Sequence, residues 1–224
     1  MRIHVLTCGI GLGFLVELPH GLYLIDSGSP GMHAPVLAKM KALRRADLIL
    51  VWITHAHYDH YGSAAALREQ TGAQIGVHPA DAQFLARGQS PLGTAHNYGF
   101  LFRPAQSVLQ RISPLPHTSV DFTLEDGETF ERFGWDATVL HTPGHTPGHT
   151  SLMLSGGIAF AGDLIAGVPK KRIQYLVATD WSQLPGSLEK LKAAQPECVY
   201  TGHSFRPMPG DVFQTIKPRW DYLD

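Results

Sequence analysis

Within Thr54-His55-Ala56-His57-Tyr58-Asp59-His60, three imidazoles and one carboxylate fall inside six consecutive residues. Imidazole nitrogen and carboxylate oxygen, without thiolate, form a donor set suited to Zn²⁺ and also to Mn²⁺, Fe or Co. Residues two apart in an extended chain point to the same side. His55 and His57 can therefore grip one ion, while the turn that follows carries Asp59 and His60 to a neighbouring position. Gly62, just beyond, permits a sharp exit from the loop. One histidine in a surface turn calls for no explanation. Four ligand-type residues at this density, with a carboxylate interposed, do.

A second cluster, His141-Thr142-Pro143-Gly144-His145-Thr146-Pro147-Gly148-His149, is stiffened by two prolines and two glycines. Rigid turn chemistry is what holds a metal ligand in place. Spacing alone does not choose among His141, His145 and His149. Two further candidates close apolar runs: Asp163 in Phe160-Ala161-Gly162-Asp163, and His203 in Tyr200-Thr201-Gly202-His203. Taken singly, each reads as a turn or capping residue. Beside two histidine clusters, both become candidate ligands. Tyr58 reads as a packed aromatic next to the ligand loop. Lys170-Lys171-Arg172 is a solvated turn or a contact for an anionic group.

The elements around these residues are periodic enough to place them. Residues 2–7, 13–18 and 21–26 alternate as strands, with Pro19-His20-Gly21 turning between the last two. Val36, Leu37, Met40 and Leu43 share one face of a helix over about 33–45. Asp47–Ile53 is a nearly continuous apolar run, which fits a strand buried on both faces. A helix is expected over 62–71, a strand over 73–77 and a helix over 79–86. Strands return at 119–123, 128–133, 135–140, 150–154 and 158–161, followed by a helix over 182–194 and a strand over 197–201. All four ligand-bearing segments thus leave the ends of apolar strands, which argues for one rim of a sheet structure covered by helices. Residues 88–117 lack periodicity and mix Gly, Pro and Ser with Tyr98, Phe100, Leu101 and Phe102. A long loop of that kind reads as a lid or a substrate wall.

Bulk properties narrow the field. The 224 residues suit one domain, 1–224, and 44% hydrophobic composition supplies a substantial core. Eighteen basic against nineteen acidic residues give a net charge of −1 and leave no basic track for nucleic acid. Cys8 and Cys198 are too few for a disulfide framework or a Cys-based zinc site and read as two buried free thiols. The first residues enter strand alternation with no signal-peptide pattern, and no apolar run reaches the ~18 residues of a membrane span. A cytoplasmic protein acting on a small molecule, with neither nucleic acid nor membrane as partner, is the expectation.

The chain resembles the metallo-β-lactamase superfamily. The motifs that carry the resemblance are His55-Ala56-His57-Tyr58-Asp59-His60, Thr142-Pro143-Gly144-His145-Thr146, Gly162-Asp163 and Gly202-His203. Leu24-Ile25-Asp26-Ser27-Gly28 is similar to the strand and turn before the family's first helix. The resemblance implies a four-layer αββα sandwich of the α/β class carrying two divalent metal ions, zinc foremost, with manganese or iron as alternatives. His55, His57 and His145 would hold the first ion, Asp59, His60 and His203 the second, and Asp163 would bridge them. Asp26 would tie its loop to the ligand loops. His141 and His149 would then support the ligands or fill the core.

The implied activity is hydrolysis of an ester, thioester or lactone by metal-bound hydroxide, with Asp59 as the catalytic residue that orients the nucleophile and carries its proton. No substrate-binding residue is assigned. The Asp163 arrangement is nearer glyoxalase II and the lactonases than true β-lactamases, which lack that bridge. Glyoxalase II carries a longer C-terminal part, and the lactonases usually have Tyr where this chain has Ala166. The alternatives are a mononuclear iron dioxygenase similar to the persulfide dioxygenases, and a phosphodiesterase or nuclease of the same superfamily.

Overall fold

The computed structural model describes residues 1–95, 116–166 and 171–218. They fall into two compact units, one of residues 1–90 and 116–124, the other of 91–95 and 125 onward. Each is built on its own sheet.

The first unit opens with an antiparallel meander of Arg2–Cys8 (β1), Gly11–Leu18 (β2) and Gly21–Ile25 (β3). The helix Ala34–Ala42 (α1) then crosses to Leu48–Ile53 (β4), which pairs parallel to β3. Short helices Tyr58–Tyr61 (α2) and Ala64–Thr71 (α3) lead to Gln74–Val77 (β5), again parallel. Pro79–Arg87 (α4) follows, and Phe122–Thr123 completes a six-stranded sheet. A parallel strand with crossovers on its faces must be apolar on both. Leu48, Leu50, Val51, Trp52 and Ile53 are buried accordingly, and Val36, Met40, Leu67 and Leu85 from the helices share one core with Leu48, Val51 and Ile53.

In the second unit, Ala137–His141, Thr150–Leu154, Ile158–Phe160, Cys198–Thr201 and Ser204–Pro209 form a five-stranded sheet. Leu184, Leu188 and Leu191, spaced to share one face of the helix Leu184–Ala193, bury that face against Val199, Met208 and Phe213.

Three expectations change. Residues 128–133 alternate like a strand, yet only Thr129 bridges to Thr138 and Glu131–Phe133 winds into a 3₁₀ turn. Gly134 at φ 72° closes that turn and lets Trp135 fold back on Phe130, ring centroids 4.9 Å apart. Gly62 has an ordinary helical φ of −58°, so its value lies in space instead: a Cβ would come within 2.5 Å of Pro30 and 2.4 Å of the Tyr58 carbonyl. Both cysteines are free, but only Cys8 is fully buried, its thiol pushed up to about 11 by burial; Cys198 is partly exposed.

Of the 88–117 loop, residues 96–115, with Tyr98, Phe100, Leu101 and Phe102, lie outside the described residues, as does Lys170. Arg172 sits in a two-residue strand against Ala166, its guanidinium 5.7 Å from the Tyr175 ring centroid. No helix among the described residues is long and apolar enough to cross a membrane.

Candidate metal centre

In the first unit the ligand-type residues follow directly from β4. The chain leaves Ile53 with Thr54, whose N–H and hydroxyl both donate to the Asp26 carboxylate at 2.8 Å. That use of the single hydroxyl proton leaves the Thr54 oxygen to accept from His55 Nδ1 at 3.0 Å. His60 Nδ1 donates to the other side of the same arrangement, 2.8 Å from Asp26 Oδ2. With Nδ1 carrying the proton in both rings, Nε2 holds the lone pair that a metal requires. The rings of His55 and His60 lie 4.0 Å apart and those of His55 and His57 4.7 Å apart, by centroid. Asp59, in the first turn of α2, places Oδ2 3.8 Å from His60 Nε2.

The loop is held by its backbone as firmly as by its side chains. Asp81, fully buried at the start of α4, accepts from the Ala56 N–H at 2.8 Å, between His55 and His57. The His60 carbonyl accepts from Ser27 N–H at 2.6 Å and from the Ser27 hydroxyl at 2.9 Å. Gly11 lets β2 approach so closely that a Cβ there would lie 2.2 Å from the Asp59 carbonyl. Asp26 itself takes a left-handed φ of 58°, a conformation uncommon for a residue with a side chain and here held by its three donors. Replacing Asp26 by Ala strands the buried donors of Thr54 and His60. The expected loss is about 3 kcal/mol of unfolding free energy, measured by chemical denaturation of the metal-free protein. A loss below ~1 kcal/mol would contradict this account of the network.

In the second unit a different set converges on Asp163. Its Oδ2 lies 3.0 Å from His203 Nε2 and 3.6 Å from His145 Nε2. Its N–H donates to His149 Nε2 at 3.1 Å and its carbonyl accepts from the Gln174 amide at 3.0 Å, so the residue is fixed along its backbone independently of its carboxylate. His145 donates through Nδ1 to the Val177 carbonyl at 2.9 Å, which again leaves Nε2 with the lone pair. His149 spends both nitrogens: Nδ1 donates to the Thr142 carbonyl at 3.0 Å and Nε2 accepts from Asp163. His141, turned outward, meets the Pro147 carbonyl through Nε2 at 2.9 Å.

Imidazoles and carboxylates, with the outer nitrogens of His55, His60 and His145 fixed by hydrogen bonds, form a donor set that fits a divalent ion. The His and Asp side chains that could hold a metal ion are, among the described residues, His55, His57, Asp59 and His60 in the first unit and His145, Asp163 and His203 in the second. Sequence reasoning did not find Asp81, Gln174 or the Val177 carbonyl. Asp81 carries only the ordinary signal of an acid in a helix's first turn, and a backbone carbonyl carries none.

The metallo-beta-lactamase superfamily model matches residues 6–203. The chain belongs to that superfamily. It is 27% identical over 242 residues to "Probable metallo-hydrolase YflN" of Bacillus subtilis, covering 95% of this chain and 87% of that protein. It is 30% identical over 190 residues to "Acyl-coenzyme A thioesterase MBLAC2" of Homo sapiens, covering 78% of this chain and 61% of the relative's length. Among solved structures, TTHA1623 "in a di-iron-bound form" superposes with a TM-score of 0.67 at 25% identity, covering 93% of this chain and 94% of that one. The chain is thus a member of a metallo-hydrolase superfamily and carries His and Asp side chains that could hold metal.

Proposed function

We propose that this protein is a dinuclear metallo-hydrolase of carbonyl substrates, an ester, thioester or lactone of small or medium size. In this reading His55, His57 and His145 hold one ion, Asp59, His60 and His203 the other, and Asp163 serves both. The observation that carries the reading is the Asp163 carboxylate oxygen beside two imidazole nitrogens, His203 Nε2 and His145 Nε2. A carboxylate so placed balances the charge of two cations better than either histidine set alone. Divalent ions bound there supply Lewis acidity and bring the pKa of water down to about 7.

The chain's own residues do the rest. Asp26, through Thr54 and His60, fixes which imidazole nitrogens face the ions. Asp59, a carboxylate only 8% exposed, is positioned to hold a proton during turnover and pass it to the leaving group. The thioesterase relative supports an activated carbonyl as the target, and a net charge of −1 gives a polyanion little reason to stay. Zinc is the favoured metal, with manganese or iron as alternatives, and the di-iron form of the structural neighbour supports a two-ion centre. A cytoplasmic setting and a small-molecule partner complete the proposal.

Metal-free protein, reloaded separately with Zn²⁺, Mn²⁺ or Fe²⁺, tests it by metal counting and by turnover of esters, thioesters, lactones, β-lactams and phosphodiesters. Two ions per chain and hydrolysis of the first three classes are expected. Efficient phosphodiester cleavage with no carbonyl activity would move the protein to the nuclease branch. A single iron with oxygen uptake would make it an oxygenase.

A further inference from the structure

The second unit contains a small structure that holds the partner of one candidate ligand. Thr94–Ala95 pairs antiparallel with Val177–Ala178, Ala95 opposite Val177 and Thr94 opposite Ala178. A two-residue ladder has little stability of its own. This one is clamped from outside. The Trp181 indole N–H donates to the Thr94 hydroxyl at 2.7 Å. Gly93, at φ 57°, lies so close that a Cβ would sit 2.1 Å from the Ala178 carbonyl oxygen. Just beyond the ladder, Thr179 N–H and hydroxyl both bond the Gly144 carbonyl, at 2.9 and 3.0 Å, and Asp180 N–H does so at 2.9 Å. Residues 177–180 are therefore stitched on one side to the turn that bears His145 and on the other to 93–95.

The product of this stitching is the Val177 carbonyl, 2.9 Å from His145 Nδ1. A carbonyl only accepts, so the contact fixes both the tautomer and the plane of the imidazole. Outer partners of this kind govern how well a histidine serves a metal.

We infer that Gly93, Thr94 and Trp181 are positioning residues for the metal ligand His145, acting through the Val177 carbonyl. The inference rests on the metal-centre reading above. Each acts by keeping the Val177–Ala178 strand where it is. Gly93→Ala forces that strand away and withdraws the carbonyl. Trp181→Phe keeps the ring and removes only the hydrogen-bond donor, a milder version of the same change.

The test is chelator competition on the full-length, metal-free protein with Zn²⁺, together with the visible spectrum of the Co²⁺-loaded form. Gly93→Ala is expected to weaken one of two Zn²⁺ sites by about tenfold, leave the other within about threefold, and alter the Co²⁺ bands; Trp181→Phe should weaken the same site by about threefold. A purely structural role for the ladder would lower the melting temperature of the metal-free variants without changing affinity or spectrum, and that result overturns the inference. If Gly93→Ala does not fold, Trp181→Phe decides alone, and wild-type affinity with an unchanged spectrum refutes it. Wild-type protein that takes up no Zn²⁺ would instead defeat the metal-centre reading itself, and this inference with it.

Discussion

Asp163→Ala is expected to lower affinity for both metal ions by at least about a hundredfold and to leave the fold in place. Both halves of that expectation come from how the residue is held. Its N–H is bound to His149 and its carbonyl to Gln174, and neither bond involves the side chain that is removed. The carboxylate, by contrast, stands 3.0 Å from His203 Nε2 and 3.6 Å from His145 Nε2, residues assigned to different ions in the proposed centre. Truncation deletes one negative charge from the surroundings of two cations, and an effect beyond the ten- to hundredfold of an outer-shell change is expected of a direct ligand. Metal stoichiometry after dialysis against a graded chelator, with circular dichroism as the control for folding, reads the outcome. Loss of a single ion would make Asp163 a terminal ligand; unchanged stoichiometry and affinity would remove it from the centre.

Asp59→Asn should retain the fold and lose turnover by about 10²- to 10⁴-fold, the range associated with losing a positioned proton carrier. The amide matches the carboxylate in size, and the backbone contact that seats the loop, the Asp59 carbonyl against Gly11, is untouched. What changes is charge and proton affinity, since an amide accepts no proton in the working range. The decisive comparison is between kcat and metal content in the same preparation. Near-normal turnover with both ions retained would show that Asp59 does not handle the reacting water. Equal losses of metal and activity would assign it to holding the ion alone.

Much of this protein is readable from local pattern. The run 48–53 announces a strand buried on both faces because a parallel strand under crossovers has no polar side to show. The helices Ala34–Ala42 and Leu184–Ala193 are visible in the spacing of their buried residues. The metal chemistry is equally local: four ligand-type residues in His55–His60 declare a donor set before any fold is known. Superfamily membership follows from short motifs in a fixed order, and the family match over 6–203 bears it out.

What tertiary structure alone decided is the set of contacts between segments distant in sequence, because no residue type advertises its partner. Spacing left His141, His145 and His149 equivalent. Folding separates them by hydrogen bonding: His149 uses both nitrogens on Thr142 and Asp163, His141 turns to Pro147, and His145 is pinned through Nδ1 by Val177. Asp81 reads as a helix-start acid and becomes the acceptor for Ala56 only when α4 packs beside the ligand loop. The alternation at 128–133 reads as a strand, yet Gly134 and the tilted packing of Phe130 against Trp135 turn its end into a 3₁₀ bend. Gly62 reads as the means of a sharp exit from the loop and proves to be a gap left for Pro30. Residue type determines which atoms can bind a metal; only packing determines which nitrogen of which histidine is left to do so.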